Sequence, residues 1–415
     1  MSAAVRRSFD SLTVPNYRRY FAGQLVSLSG TWMQTVAAIW LVLTLTDSGI
    51  AVGLTTALQF LPMLLFGAWG GLLADRIPKR RLLIATQALM AIPAIGLLAV
   101  TATAVVTPWM VYLAVFAMGL VNAVDNPTRQ SFVFEMVGPD RVVNAVSLNS
   151  VIVQAARIVG PAIAGLLIAG FGVVPCFALN ALTFVAMIFA LWGMDPRGLH
   201  TEPVAPREPG AIRAGLRYVR ATPELAVPLA LMALVGTLGF NFQVVLPLLA
   251  KFSFDGGATT YGVLVSAMAV GSIAGALVNG AHGRTGPRLI AAGALAFGIL
   301  ALLSGAMPSL ALEIPVLAGL GAAAVTFAAT INSTLQLAVE PEMRGRVMAL
   351  YSVVFLGSTP IGGPLVGWLS QTYDPRVALL LAGITGVSAA WAAHVCFARM
   401  RARSMQGPRP LSAAG

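Results

Sequence analysis

The sequence predicts an all-α membrane protein of about twelve transmembrane helices arranged as two related bundles of six, and three observations carry that expectation. Hydrophobic residues make up 58% of the 415, charged residues only 10%, and the mean hydropathy is +0.84, against about a quarter charged in a soluble chain. Apolar runs of about twenty residues, enough to cross a hydrocarbon core about 30 Å thick, follow one another almost without pause. Basic residues crowd every second loop between them.

The first six runs are 20–46, 51–74, 82–104, 108–137, 141–169 and 173–194, giving a first bundle over residues 1–194. A polar stretch rich in proline (Pro196, Pro203, Pro206, Pro209, Pro223) joins the halves as a cytoplasmic linker over 195–225. Six further runs, 226–250, 258–282, 288–307, 310–338, 345–372 and 377–398, give a second bundle over 226–398, and a basic tail closes the chain at 399–415. Within the linker, AIRAGLRYVR sets Ile212, Leu216 and Val219 on one helical face and Arg213, Arg217 and Arg220 on another. That is the pattern of a short helix lying among headgroups, or of a solvated linker helix.

Orientation follows from the basic residues. Arg6, Arg7, Arg18, Arg19, then Arg76, Lys79, Arg80, Arg81, then Arg141, the arginines from Arg197 to Arg220, Arg284, Arg288, Arg344, Arg346 and those from Arg399 to Arg409 fall on one side; the other holds Lys251 and Arg376. The positive-inside rule puts both termini in the cytoplasm of a multi-pass inner-membrane protein. These flanking charges account for the net charge of +11, so nucleic acid is not expected as a partner. The start of the chain has no short apolar core with a small-residue cleavage site, so the first span is expected to insert uncleaved. Cys176 and Cys396 lie in apolar runs and offer neither a disulfide framework nor a metal site.

An internal repeat supports two halves. GPDRVVNAV precedes the fifth span and GPAIAG follows it at Gly160, Pro161 and Gly165; PEMRGRVMAL opens the eleventh and GGPLVG follows at Gly363, Pro364 and Gly367. The second and eighth spans begin alike (Gly53-Leu54, Gly262-Val263), and the third and ninth follow arginines at RLLI and RLI. Two such halves, with spans interrupted by Gly and Pro, are an architecture of secondary transporters with a substrate site near the midplane.

Between the second and third spans stands GGLLADRIPKRR, and Gly71, Asp75, Arg76, Lys79 and Arg80 in it resemble the loop signature of the major facilitator superfamily. Gly71 suits close helix approach, Asp75 suits the positive N-terminus of a neighbouring helix, taken to be the eleventh span, and the basic residues can bridge to acids. The resemblance implies a cytoplasmic latch. Pro78 stands where the family usually has glycine, and the second half lacks the acid, with Asn279 and His282 nearby. GPAIAG is similar to the fifth-helix motif of the superfamily's exporters, where it implies a helix that rocks; plain close packing is the alternative. The passage from NAVDNPTRQSFVFEMVGPDRVVNAV to GPAIAG, with FDSLTVPNYRRYFAGQLVSLSGTWMQ and VLPLLA, is similar to the enterobactin-exporter-like branch. It implies proton-driven export of a siderophore-like or drug-like small molecule by a chain needing no cofactor, expected to be monomeric.

Ionisable residues at depth cost about 2.5–3.5 kcal/mol at a span centre unless paired or facing a cavity, and those placed here all fall in the first half. Arg157, midway along the fifth span, is the leading substrate-site candidate, binding an anionic group, serving as counter-ion to a titrating acid, or capping backbone carbonyls. Asp125, Arg129 and Glu135 on the fourth span form a second group. It reads as part of the cytoplasmic latch, within reach of Arg76 and Lys79, or as a proton-coupling site centred on Asp125. Neutral candidates for the cavity are Gln34, Asn122, Asn241, Gln243, Asn332 and Gln336, each equally able to tie helices together. Met232, Phe240 and Phe242 near them suit amphipathic molecules. An importer remains the alternative to an exporter. A membrane enzyme is disfavoured by three scattered histidines (His200, His282, His394) and no catalytic cluster, and a channel by the lack of a filter pattern.

Overall fold

The computed structural model describes residues 10–200, 211–282 and 285–405. Twelve helices long and apolar enough to cross a membrane make up nearly all of it. They are α1 Pro15–Thr46, α2 Gly49–Arg76, α3 Lys79–Ala102, α4 Pro108–Val137, α5 Val142–Phe171 and α6 Val174–Trp192. In the second half α7 runs over Pro223–Gly239 and, after a break, Phe242–Leu248; α8 is Ala258–His282, α9 Pro287–Ala306, α10 Leu310–Ala338, α11 Pro341–Thr372 and α12 Pro375–Met405. Pro15, Pro108, Pro223, Pro287, Pro341 and Pro375 open helices, where a missing N–H costs nothing. Ser48 caps α2 by accepting from the Ala51 amide. The break in α7 falls at Phe240 and Asn241, whose ψ values of 31° and 38° leave the helical range.

The two bundles repeat one packing plan. In the first, α1 packs on α5 and α6, α3 on α4 and α6, and α2 on α4; in the second, α7 packs on α11 and α12, α9 on α10 and α12, and α8 on α10. The two most extensive crossings between bundles are α2 with α11 and α5 with α8, and they are equivalents under the same exchange.

Glycines make these crossings possible. A Cβ on Gly53 would sit 2.5 Å from the Gly363 carbonyl oxygen and 2.9 Å from Pro364, and one on Gly49 would sit 2.5 Å from the Gly367 carbonyl. On the other seam, a Cβ on Gly262 would sit 2.9 Å from the Gly165 Cα and 3.2 Å from the Pro161 carbonyl. The repeated glycines and prolines of the sequence are thus the two faces of the joint between bundles. Both seams lie at the end of the molecule away from the linker. There Lys251 pairs with Asp47, Ser48 donates to Gln371 at 2.7 Å, and Trp40 stacks on Tyr261 at 6.2 Å.

The linker helix, Ala211–Ala221, docks on the second bundle. Gly215 lies against Arg346 of α11 and Val219 is buried, while Leu216 is exposed, so the apolar face is shared between protein and surroundings. The side chains of Ile212 and Arg213 lie outside the described residues, as do Arg6, Arg7, Arg284 and the chain beyond Met405.

Candidate functional site

A buried polar cluster occupies the interior of the first bundle. Asp125, past the midpoint of α4, accepts from Arg129 one turn on, from Thr86 at 2.6 Å and from Gln87 at 3.0 Å, both on α3. Arg129 also donates to Gln24 of α1, and Ser27 donates to Gln87 at 3.2 Å. The hydroxyl of buried Tyr20 lies beside Arg129. A buried ion pair is tolerable only with its remaining lone pairs and protons bonded; here Thr86 and Gln87 of α3 donate to the carboxylate and Gln24 of α1 accepts from the guanidinium. Beside the pair is a cavity of about 70 Å³ lined by Thr31, Gln34, Gln59, Asn122 and Met118 among others, polar and large enough for water. Gln34 accepts from Asn180 of α6 at 2.6 Å and donates to the Met118 sulfur. The structure therefore groups Gln34 and Asn122 with Asp125 inside the first bundle, and not with Arg157.

Toward the linker end the expected single latch divides. Glu135 lies about 15 Å further along α4 than Asp125 and pairs with Lys79 at 2.5 Å. Asp125 and Arg129 bond each other and neutral groups, so of the three residues expected near Arg76 and Lys79 it is Glu135 that meets Lys79 among the described residues. Arg80 donates to the Leu191 and Trp192 carbonyls at 2.7 and 2.9 Å, capping α6 in place of meeting an acid. His200, at the start of the linker, donates its amide to the Glu135 carbonyl at 2.7 Å, which ties the linker to the same corner. Asp75 is half-buried in the last turn of α2 and Arg76 is exposed. Gly71 is buried, and its neighbour Gly70 makes a close approach to the Ala123 carbonyl of α4.

Arg157 stands at the midpoint of the thirty-residue α5, its guanidinium 5.1 Å from the centre of the Trp32 ring. Gly160 produces that contact: a Cβ there would sit 2.6 Å from the Ser29 carbonyl and 2.7 Å from the Trp32 Cβ, so α5 lies against α1 one turn from Arg157. Along this face of α5, Val146, Ser150 and Arg157 are exposed, whereas Pro161, Ala164 and Ile168 are buried. The same face of α5 meets Gly262 of α8 at Pro161 and Gly165, so exposed Arg157, one turn nearer the linker, stands on the side of α5 turned toward the second bundle.

The second bundle presents aromatic rings. Phe240 at the break of α7 meets Phe297 at 5.3 Å, Phe327 at 6.3 Å, Phe242 at 6.4 Å and Phe355 at 6.5 Å, and Phe355 stacks on Tyr351 at 6.0 Å. Met232 is fully buried and belongs to the core. Asn241 donates to the Thr237 carbonyl at 2.6 Å; its side-chain oxygen and that of Gln243 are buried without a protein partner. Gln336 donates to Asn332 at 2.5 Å, one turn apart on α10.

One charge breaks the expectation that all intramembrane charges lie in the first half. Glu313, in the first turn of α10, is fully buried, accepts from Ser304 of α9, and has its second oxygen unpartnered near Arg376 of α12. A single acid inside ALEIP near a span end reads as a boundary residue, and only the burial of that turn under α9 and α12 makes it interior.

Two six-helix bundles joined by equivalent seams, with a charged interior on one side and an accessible arginine facing the opening, define a transporter of the major facilitator superfamily and not an enzyme. Solved structures of that fold superimpose on the chain: a nucleoside transporter, NupG, with a TM-score of 0.71 at 15% identity over 92% of this chain and 99% of that one, and a bacterial Spinster homologue in an inward-facing state at 0.70, 14%, 92% and 95%. The chain belongs to the transmembrane secretion effector family, whose model matches residues 7–410. It is 25% identical to the staphyloferrin A transporter of Staphylococcus aureus over 266 residues, 62% of this chain and 65% of that protein. It is 26% identical to the enterobactin exporter EntS of Escherichia coli over 374 residues, 88% and 87% of the two chains. With macrolide efflux protein A of Streptococcus pyogenes it shares 24% over 348 residues, 82% and 86%.

Proposed function

We propose that this protein exports a siderophore-like or drug-like amphipathic small molecule across the inner membrane by alternating access, in exchange for protons entering the cell. The observation that carries the reading is the buried Asp125–Arg129 pair beside its small polar cavity. A carboxylate whose partner can approach or withdraw changes its hold on a proton between two states, and Asp125 is positioned to be that group. Relatives that move siderophores and a macrolide support efflux. Seams gathered at the end away from the linker, with the Arg157 face open toward the linker, suit a state open to the cytoplasm. The loop between α2 and α3, with Asp75 at its edge and Lys79 held by Glu135, would then meet the second bundle and close that end in the opposite state. No cofactor enters; the proton gradient supplies the work, about 2.3 kcal/mol per charge for each 100 mV.

A substrate screen in everted vesicles with a pH-sensitive dye tests the reading. An exported substrate should enter the vesicles and dissipate the pH gradient as it does so. Substrate entry with no proton movement would overturn the coupling, and substrate exit driven by the gradient would reverse the direction.

A further inference from the structure

We infer that the molecule carried has an anionic group beside a flat apolar portion, and that Arg157 on Trp32 is the seat of that anion. The inference rests on the transporter reading and names its substrate class. Arg157 and Arg129 make the argument by contrast. Arg129 is buried inside the first bundle and bonded to Asp125 and Gln24. Arg157, at the midpoint of α5, meets no carboxylate among the described residues, and the partner it has among them is the indole of Trp32. A guanidinium over a ring makes a contact that uses no N–H hydrogen bond, and its fork of donors matches a carboxylate, sulfonate or phenolate. An uncompensated charge at the centre of a span is unfavourable, and an anion entering the opening removes the penalty.

The rest of the wall argues for the same class. Among the described acids of the spanning helices, Asp125, Glu135 and Glu313 are buried and already bonded to Arg129, Lys79 and Ser304, and Asp75 and Glu224 lie in terminal turns of α2 and α7 at the linker end. A cationic molecule therefore finds no accessible carboxylate at the depth of Arg157. Rings of the second bundle, with Phe355 exposed and stacked on Tyr351 at 14° between planes, offer a surface for a flat apolar group.

The test compares two dyes on one xanthene skeleton, anionic fluorescein and cationic rhodamine 6G, binding to the full-length protein in lipid nanodiscs by fluorescence polarisation. Fluorescein should bind the wild type more tightly than rhodamine 6G, and Arg157→Gln should weaken fluorescein by about tenfold or more, the worth of a charge-assisted contact. Rhodamine 6G should be unchanged or tighter in that variant. Arg157→Lys keeps the charge without the fork and should lose about threefold; it carries the test if the glutamine variant does not fold. Equal fluorescein binding by wild type and Arg157→Gln, or no fluorescein binding by the wild type, overturns the inference. Either result leaves proton-linked export standing if the vesicle assay is positive. Intact fluorescein binding with a negative vesicle assay overturns export and keeps the anion seat.

Discussion

Between α1, α3 and α4 of the first bundle, and between their equivalents α7, α9 and α10 of the second, the protein buries opposite chemistries. The first space holds Gln24, Thr86, Gln87, Asp125 and Arg129. The second holds Phe240, Phe297 and Phe327. Counted from the starts of their helices at Pro108 and Leu310, Asp125 and Phe327 stand at the same position. One scaffold used twice therefore separates its tasks: the outer contacts and seams are kept in both copies, and the interior of one copy is given over to charge. Glu313 qualifies the contrast without removing it, because it lies in the first turn of α10 and not at the Asp125 position.

The comparison can be broken by mutation. Asp125→Ala leaves Arg129 buried without a counter-ion and should lower stability by about 3–5 kcal/mol, read as loss of thermal midpoint in detergent. Phe327→Ala, at the equivalent position, should cost about 3 kcal/mol through lost packing, with proton-linked transport kept by the molecules that remain folded. The seams should behave alike despite the different interiors. Gly53→Val and Gly262→Val force side chains against the Gly363 carbonyl and the Gly165 backbone, at about 1–3 kcal/mol each, and both should raise cysteine labelling at the end away from the linker. Lys79→Ala leaves buried Glu135 without its cation and should cost about 1–3 kcal/mol, while increasing labelling at the linker end when that end is closed. Asp47→Asn should change stability by at most about 1 kcal/mol, an effect that salt erases.

How far the sequence foretold this differs with the scale of the feature. Span number and the repeated Gly-Pro motifs were legible because hydropathy and glycine act through general rules, although α1 begins at Pro15 and not at residue 20. That the repeats face each other, Gly53 on Gly363 and Gly262 on Gly165, needed helix positions. The ion pair of Asp125 with Arg129 followed from their spacing on one helix. Gln24, Tyr20, Thr86, Gln87 and Trp32 did not, because a neutral or aromatic residue declares its partner only once the rotation of its helix is fixed. The break in α7 had a signal in Gly239 and Asn241, which an otherwise continuous apolar run concealed.

The central claim is that the proton is handled in the first bundle. In proteoliposomes with an internal pH dye, Asp125→Asn, which keeps the shape and most hydrogen bonds of the carboxylate, should abolish substrate-induced proton movement while substrate binding persists. Phe327→Leu at the equivalent position should retain that movement. Undiminished proton movement in Asp125→Asn would contradict the account.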